Sequence, residues 1–214
     1  MSMSKHLVWD WNGTLLDDFS VIVEATNVAM RTVDGEILQP DVHRRRFRRP
    51  IIDFYSELVG RPLSADEFSL LDKAFHDHYH SLMRSCPLTA DARDAIATWG
   101  GTQSLLSMWF HSELVPLVQE HGLTESFSRI DGLRVRDESD SKYSYLVAHL
   151  AALGVEPGDA VMIGDSVDDF VAADRAGASI VLYGRGFSDP RNLRATGAPV
   201  ADSLAEAVRI ARAG

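Results

Sequence analysis

At 214 residues and 23.6 kDa the chain exceeds what one small domain needs, so one large domain or a core with an inserted lobe is expected and a marginal miniprotein is excluded. Its 45% hydrophobic and 24% charged residues belong to a globular chain able to bury a sizeable core, not to a disordered one. Thirty-one acidic against 21 basic side chains give a net charge of -10, which repels phosphate backbones and anionic lipid, so neither nucleic acid nor a membrane surface is an expected partner.

Near Met1 no charged stretch leads into an apolar run, no 18-residue apolar run occurs anywhere, and the single Cys86 has no partner for an internal disulfide; a reducing cytoplasm is the expected location. The segment Lys5-His-Leu-Val-Trp-Asp10 reads as a short apolar strand ending at an acid, followed by a turn at Gly13 and Thr14. From Asp18 to Arg31 the apolar spacing predicts a helix, with Asp17 or Asp18 available as its cap. Pro40, Pro50, Pro62 and Pro87 punctuate several further helices up to residue 85, with no alternating strand pattern among them. After Pro87 the pattern alternates: a helix near 90–99, a strand at Gln103 to Met108, a helix at Val115 to His121, a helix at Lys142 to Leu153, a strand at Ala160 to Ile163, a helix at Asp168 to Ala176, a strand at Ser179 to Tyr183 and a last helix at Ser203 to Ala213. Strands alternating with helices predict a doubly wound, Rossmann-like parallel α/β sheet with ligands at the carboxyl ends of its strands, and the helical block is an insertion into it.

Asp10, Asp165 and Asp169 all fall where a strand gives way to a turn, the ligand-facing side of such a sheet. Gly164-Asp-Ser-Val-Asp-Asp169 carries three carboxylates in five residues on a turn with free backbone amides. Acids that dense repel one another unless a cation joins them, and with no zinc-type His or Cys spacing a hard, oxygen-ligated ion such as Mg²⁺ fits best. The competing reading is simple helix capping by Asp168 and Asp169.

In this order, Asp10-Trp-Asn-Gly-Thr-Leu15, Ser107 at a strand end, Lys142 and Gly164 to Asp169 resemble the motifs of the haloacid dehalogenase superfamily, specifically its phosphoglycolate phosphatase-like branch with a helical cap after the first strand. The 97-residue interval from Asp10 to Ser107 exceeds one crossover of about 30 by roughly 60 to 70, the length of such a cap. The resemblance implies a core of residues 1–15 and 88–214, an all-α cap at 16–87, a site in the cleft between them and hinge closure through two connecting segments. It implies Asp10 as nucleophile, a Mg²⁺ held by Asp10, the Asn12 carbonyl and Asp165 with Asp169 behind, Ser107 and Thr14 at the phosphate, and Lys142 as charge neutraliser. Lys142 gains weight because only three lysines occur, although its segment lacks the common Lys-Pro-x-Pro run; Arg134 or Arg136 is its substitute.

Asn12 departs from the family, whose phosphatases usually carry a second aspartate there as general acid and base. The expected activity is therefore a Mg²⁺-dependent phosphatase on a small phosphorylated metabolite, slowed by Asn12. A catalytically weak phosphate-binding or regulatory protein stands beside it, and a 2-haloacid dehalogenase third, disfavoured by the intact Gly-Asp-Ser turn. A monomer or homodimer is expected. The run His43-Arg-Arg-Arg-Phe-Arg-Arg49 places Arg45, Arg48 and Arg49 on one helical face, with Arg45 and Arg49 as candidates for an anionic substrate end or a solvated face. His76, His78 and His80 read as an exposed helix face, Trp11 and Trp109 as possible walls of the site, and Gly184-Arg-Gly186 as a turn.

Overall fold

The computed structural model describes residues 5–48, 50–134 and 141–214. The chain divides into two units, Met1–Asp17 with Leu88–Gly214, and Asp18–Pro87.

The first unit is built on strands β1 (His6–Trp9), β2 (Gln103–Phe110), β3 (Ile130–Leu133), β4 (Ala160–Gly164), β5 (Ser179–Tyr183) and β6 (Val200–Ala201). They form one sheet in the order β3-β2-β1-β4-β5-β6 with every pairing parallel. The order reverses between β1 and β4, the switch point at which open α/β sheets bind ligands. β1 and β4 are buried throughout, so both read as continuous apolar runs, as a parallel strand covered on two faces must. On one face Val8, Leu106 and Met162 pack against Leu146 and Leu150 of α7 (Lys142–Leu153) and Ala172 and Ala173 of α8 (Val167–Ala176). Helices α5 (Ala92–Thr98), α6 (His111–Glu120), α9 (Pro190–Ala195) and α10 (Leu204–Ala213) complete the unit. β6 and α9 went unread in the sequence because they are only two and six residues long, and β3 because Asp131 and Gly132 interrupt any apolar run in its four residues. β2 runs on to Phe110 past an irregularity in its pairing with β3, so Ser107 lies within the strand and not at its end.

The second unit holds α1 (Phe19–Arg31), α2 (Pro40–Arg46), α3 (Ile51–Val59) and α4 (Ala65–Met83) around Ala29, Met30, Phe54, Leu58 and Leu71. Asp18 is the residue before α1, but its carboxylate makes no cap bond: it accepts from the Tyr79 hydroxyl at 2.5 Å, and both side chains are buried. Arg45 and Arg48 do not share a helical face, because α2 ends at Arg46; Arg49 lies outside the described residues. Among the described residues no helix is long and apolar enough to cross a membrane.

His43 of α2 lies wholly inside this unit, stacked on Phe47 at 5.5 Å and edge-on to Phe54, with Nε2 3.2 Å from the Thr26 hydroxyl. Burial, helped by the neighbouring Arg44 charge, lowers its pKa from 6.5 to about 4. Between those values the unfolded chain binds the extra proton and the folded one does not, so stability is lost as pH falls from about 6.5 to about 4. Urea unfolding at pH 7.5 and pH 5 should show wild type losing about 2 kcal/mol more than His43→Gln over that interval; equal losses would show that His43 does not carry the titration.

Candidate active site

Asp10 follows β1 and Asp165 follows β4, so the two acids sit at the carboxyl ends of adjacent strands on either side of the switch point. With Asp169 they offer three carboxylate oxygens within 4.8 Å of one another, all buried. The chain turns sharply after Asp10: Leu16 N–H donates to the Trp11 carbonyl at 2.9 Å and Gly13 N–H to the Leu16 carbonyl at 3.1 Å. Gly13 has φ +72, and a Cβ there would lie 2.6 Å from Asp165 Oδ2, so glycine is required for both conformation and space. Thr14, fully buried, points its hydroxyl at Asp165 Oδ1 at 3.3 Å and Asp10 Oδ2 at 3.5 Å, while Thr89 donates to its carbonyl at 2.6 Å.

Asp169 belongs to a capping box at the start of α8. Its Oδ2 accepts from the Ser166 N–H at 2.9 Å and the Asp165 N–H at 3.1 Å, and Ser166 Oγ accepts from the Asp169 N–H at 3.1 Å. Capping and site-building were competing readings of this acid, and one carboxylate does both, because its Oδ1 meets the Lys142 ammonium at 2.5 Å. Lys142 also donates to Asp10 Oδ1, so the expected lysine bridges Asp10 and Asp169. Arg134 is exposed and faces Asp131 at 3.6 Å, which removes it as a substitute; Arg136 lies outside the described residues.

One ammonium among three buried carboxylates leaves an excess of negative charge. Burial raises the Asp10 carboxyl to about 7, with the Asp169 charge adding and Lys142 opposing, and burial together with Asp10 and Asp169 raises Asp165. The donor set is all oxygen, clustered and under-neutralised, which fits a hard divalent cation such as Mg²⁺.

Ser107 and Asn12 meet directly: Ser107 Oγ donates to Asn12 Oδ1 at 3.2 Å and accepts the Trp109 N–H at 3.0 Å. Trp11 is fully buried against His121, and Trp109 is buried too. Arg45 belongs to the second unit, where it is exposed on α2 and paired with Asp41 at 2.7 Å; Arg49 lies outside the described residues. His76 and His80 stay together on α4, His76 facing Asp72 at 3.5 Å, in no metal cluster among the described residues.

Sequence reading missed the loop after β5. Phe187 N–H donates to Asp165 Oδ2 at 2.5 Å, and Gly186 passes so close to Asp165 that any Cβ would overlap the carboxylate. The signal was the small residue in Gly184-Arg-Gly186, which spacing alone could not tell from an ordinary turn.

Residues 142–207 match the HAD-hydrolase-like family model. The chain is 27% identical over 203 residues to a phosphoglycolate phosphatase of Chromobacterium violaceum, covering 89% of this chain and 90% of that one, and 26% identical over 219 residues to one of Aliivibrio fischeri, covering 95% and 91%. Its fold matches that of a haloacid dehalogenase-like family hydrolase of Streptococcus pneumoniae with a TM-score of 0.82 at 18% identity, over 98% of this chain and 99% of the other. Fold and matched segment point to one class: residues 142–207 are similar to haloacid dehalogenase-like hydrolases, and the whole chain has the fold of such a protein. Within that class it is similar to phosphoglycolate phosphatases.

Because Gly186 has no room for a methyl group, Gly186→Ala should overpack the loop against Asp165. The expected cost is about 1–3 kcal/mol, a fall of roughly 2–10 °C in thermal midpoint. An unchanged midpoint by differential scanning calorimetry would mean that the loop yields freely.

Proposed function

We propose that this chain is a Mg²⁺-dependent phosphatase that hydrolyses a small phosphorylated metabolite through an aspartyl-phosphate on Asp10, with 2-phosphoglycolate the first substrate to test. The observation that carries the proposal is the buried group of Asp10, Asp165, Asp169 and Lys142 at the switch point of the sheet. The relatives' names support the substrate class.

In this reading Asp10, the Asn12 carbonyl and Asp165 hold the cation, with Asp169 behind them. Bound there, Mg²⁺ would neutralise charge on the transferring phosphoryl group. Asp10 attacks phosphorus in its ionised form, and Lys142 keeps that form available by donating to Oδ1. The Asp10–phosphate bond forms as the bond from phosphorus to the leaving oxygen breaks, and water later attacks the same phosphorus to return the carboxylate. Thr14 fixes Asp10 and Asp165 relative to each other through one shared hydroxyl. Ser107 has a single proton, which Asn12 holds; contact with a phosphate oxygen requires that proton to turn from Asn12 to the substrate. Residues 16–87 are the proposed cap, with Arg45 and Arg49 as candidates for the substrate's far end.

Asn12 favours a second reading, a protein that binds phosphate and turns over weakly. Its amide can donate a hydrogen bond to a phosphate oxygen but can neither give up a proton to the leaving group nor take one from water, help worth about 10²–10⁴ in rate. The buried, under-neutralised carboxylates argue against the dehalogenase alternative, which has no need of a cation.

Asp10→Asn should abolish phosphoryl transfer with the fold retained, and Asp165→Asn should chiefly weaken Mg²⁺ affinity. Full activity in an Asp10→Asn protein shown by mass to be undeamidated would remove the covalent route. With an aryl phosphate, wild type should release about one product per site in a burst and then turn over slowly, and Asn12→Asp should raise the steady rate at least about tenfold. No gain in that variant would assign the proton transfers to another group. Ligand stabilisation by 2-phosphoglycolate without turnover would favour the binder.

The raised carboxyls also set a pH dependence. Between about 4 and 7 the folded protein keeps protons that the unfolded chain has released, so this site costs stability as pH rises through that window. Mg²⁺ should therefore raise the thermal midpoint more at pH 7.5 than at pH 5.5, where protons compete for the same oxygens; an equal rise at both would place the ion elsewhere.

A further inference from the structure

Outside the site, a line of polar side chains with a buried centre at His6, Ser104 and His149 crosses the first unit. Arg129 pairs with Asp131; Asp131 Oδ2 lies 2.8 Å from His149 Nδ1; His149 Nε2 lies 2.8 Å from Ser104 Oγ; and His6 reaches the same oxygen through Nε2 at 2.8 Å and Thr102 Oγ1 through Nδ1 at 2.9 Å. Ser104 is fully buried, and His6 and His149 nearly so.

The single proton on Ser104 gives this line a direction. Burial tends to raise the Asp131 carboxyl, yet the bonds from Arg129 and His149 hold it below the usual range, so it is an acceptor only. His149 Nδ1 must then carry hydrogen and donate to it. Burial keeps His149 neutral, so its Nε2 is an acceptor and takes the Ser104 proton. Ser104 Oγ accepts in turn from His6 Nε2–H, and His6 Nδ1 accepts from Thr102. Every ring nitrogen has one partner and one role. The order Asp131, His149, Ser104 has the connectivity of a hydrolytic triad, but no substrate can reach a serine with no exposed surface, so it is not a second nucleophile.

Its position on α7 explains what it does. The buried residues of that helix are Lys142, Leu146, His149 and Leu150, which share one face, and Lys142 stands two turns before His149, roughly 10 Å along the axis. Ser141, the residue before the helix, makes no side-chain cap bond that would fix that end. Leu146 and Leu150 pack on Val8, Leu106 and Met162 through contacts without direction. The two bonds of His149, one to β2 and one to β3, do have direction, and a slip of one residue would carry the ring about 1.5 Å and 100° away from both partners.

We infer that His149 is a positioning residue for the Lys142 ammonium: bonded between Asp131 and Ser104, it fixes the rotation and axial register of α7 and so holds Nζ between Asp10 and Asp169. The catalytic consequence rests on the proposed phosphatase reading; the placement of the ammonium does not.

The test uses the three lysines of the chain. In full-length protein labelled with ¹³C at lysine Cε only Lys5, Lys73 and Lys142 give signals, and Lys142→Met identifies the third. His149→Leu deletes both bonds while keeping apolar volume, and His149→Gln puts an amide near the Nε2 position and retains a partner for Ser104. His149→Leu should displace or split the Lys142 signal, leave Lys5 and Lys73 unmoved, and lower kcat on an aryl phosphate at least about tenfold with KM within about twofold, since a misplacement of about 1 Å can cost 10²-fold. His149→Gln should recover part of both effects, and it carries the test should His149→Leu not fold. An unmoved Lys142 signal in a folded variant, a kcat within about twofold of wild type, or loss of the fold in both variants overturns the inference. A displaced Lys142 signal in a protein whose wild type hydrolyses no phosphate ester supports the inference and fails the phosphatase reading instead.

Discussion

The buried ammonium of Lys142 is the interaction on which the rest of this structure depends. Among the described residues it is the single cation held between Asp10 and Asp169, beside an Asp165 that is equally buried. Without it, three carboxylates would share a dry pocket, and a buried unpaired charge is among the costliest things a fold can hold. With it the pocket is still short of positive charge, which is the property that suits a divalent cation. The carboxyl ends of two central strands, a helix start and two glycines are arranged around that imbalance.

The arrangement is mostly main chain. β1 and β4 deliver Asp10 and Asp165 side by side, the capping box at α8 turns Asp169 back toward both, and the loop after β5 presents the Phe187 N–H to Asp165. Gly13 and Gly186 let backbone approach a carboxylate where any side chain would collide. Such a site is rigid because its parts are ends of regular elements, and rigidity is what electrostatic stabilisation of a transferring phosphoryl group requires. For the proposed phosphatase the weak point is chemical: Asn12 would stand where proton transfer is useful, and its amide oxygen holds the Ser107 hydroxyl.

The helical unit follows a different logic. Its centre is aromatic and apolar around a neutral His43, and its arginines are paired locally with Asp41, Glu36 and Glu57. Those pairs are at or near the surface and contribute little to stability. The Arg45–Asp41 pair also offsets much of the positive patch that the sequence suggested, because a basic run read by itself does not reveal the acids that fold against it.

Sequence alone determined the class of the first unit, since strand and helix periods alternate cleanly after Pro87, and it singled out Asp10, Asp165 and Asp169 as acids at strand ends; Lys142 joined them through the family resemblance, with the scarcity of lysine adding weight. Tertiary structure alone decided the rest. Whether Asp169 caps a helix or builds a site was undecidable from spacing, and it does both, because the two oxygens of one carboxylate face different neighbours. The Gly186 and Phe187 contact with Asp165 crosses from the loop after β5 to the end of β4, and no periodicity records which loops meet. His6, Ser104, Asp131 and His149 lie on four separate elements, each an unremarkable polar residue in its own segment, and only strand order and helix docking turn them into one line of hydrogen bonds. Local chemistry is written along the chain; pairing between distant segments is set by burial and geometry, which exist only after folding.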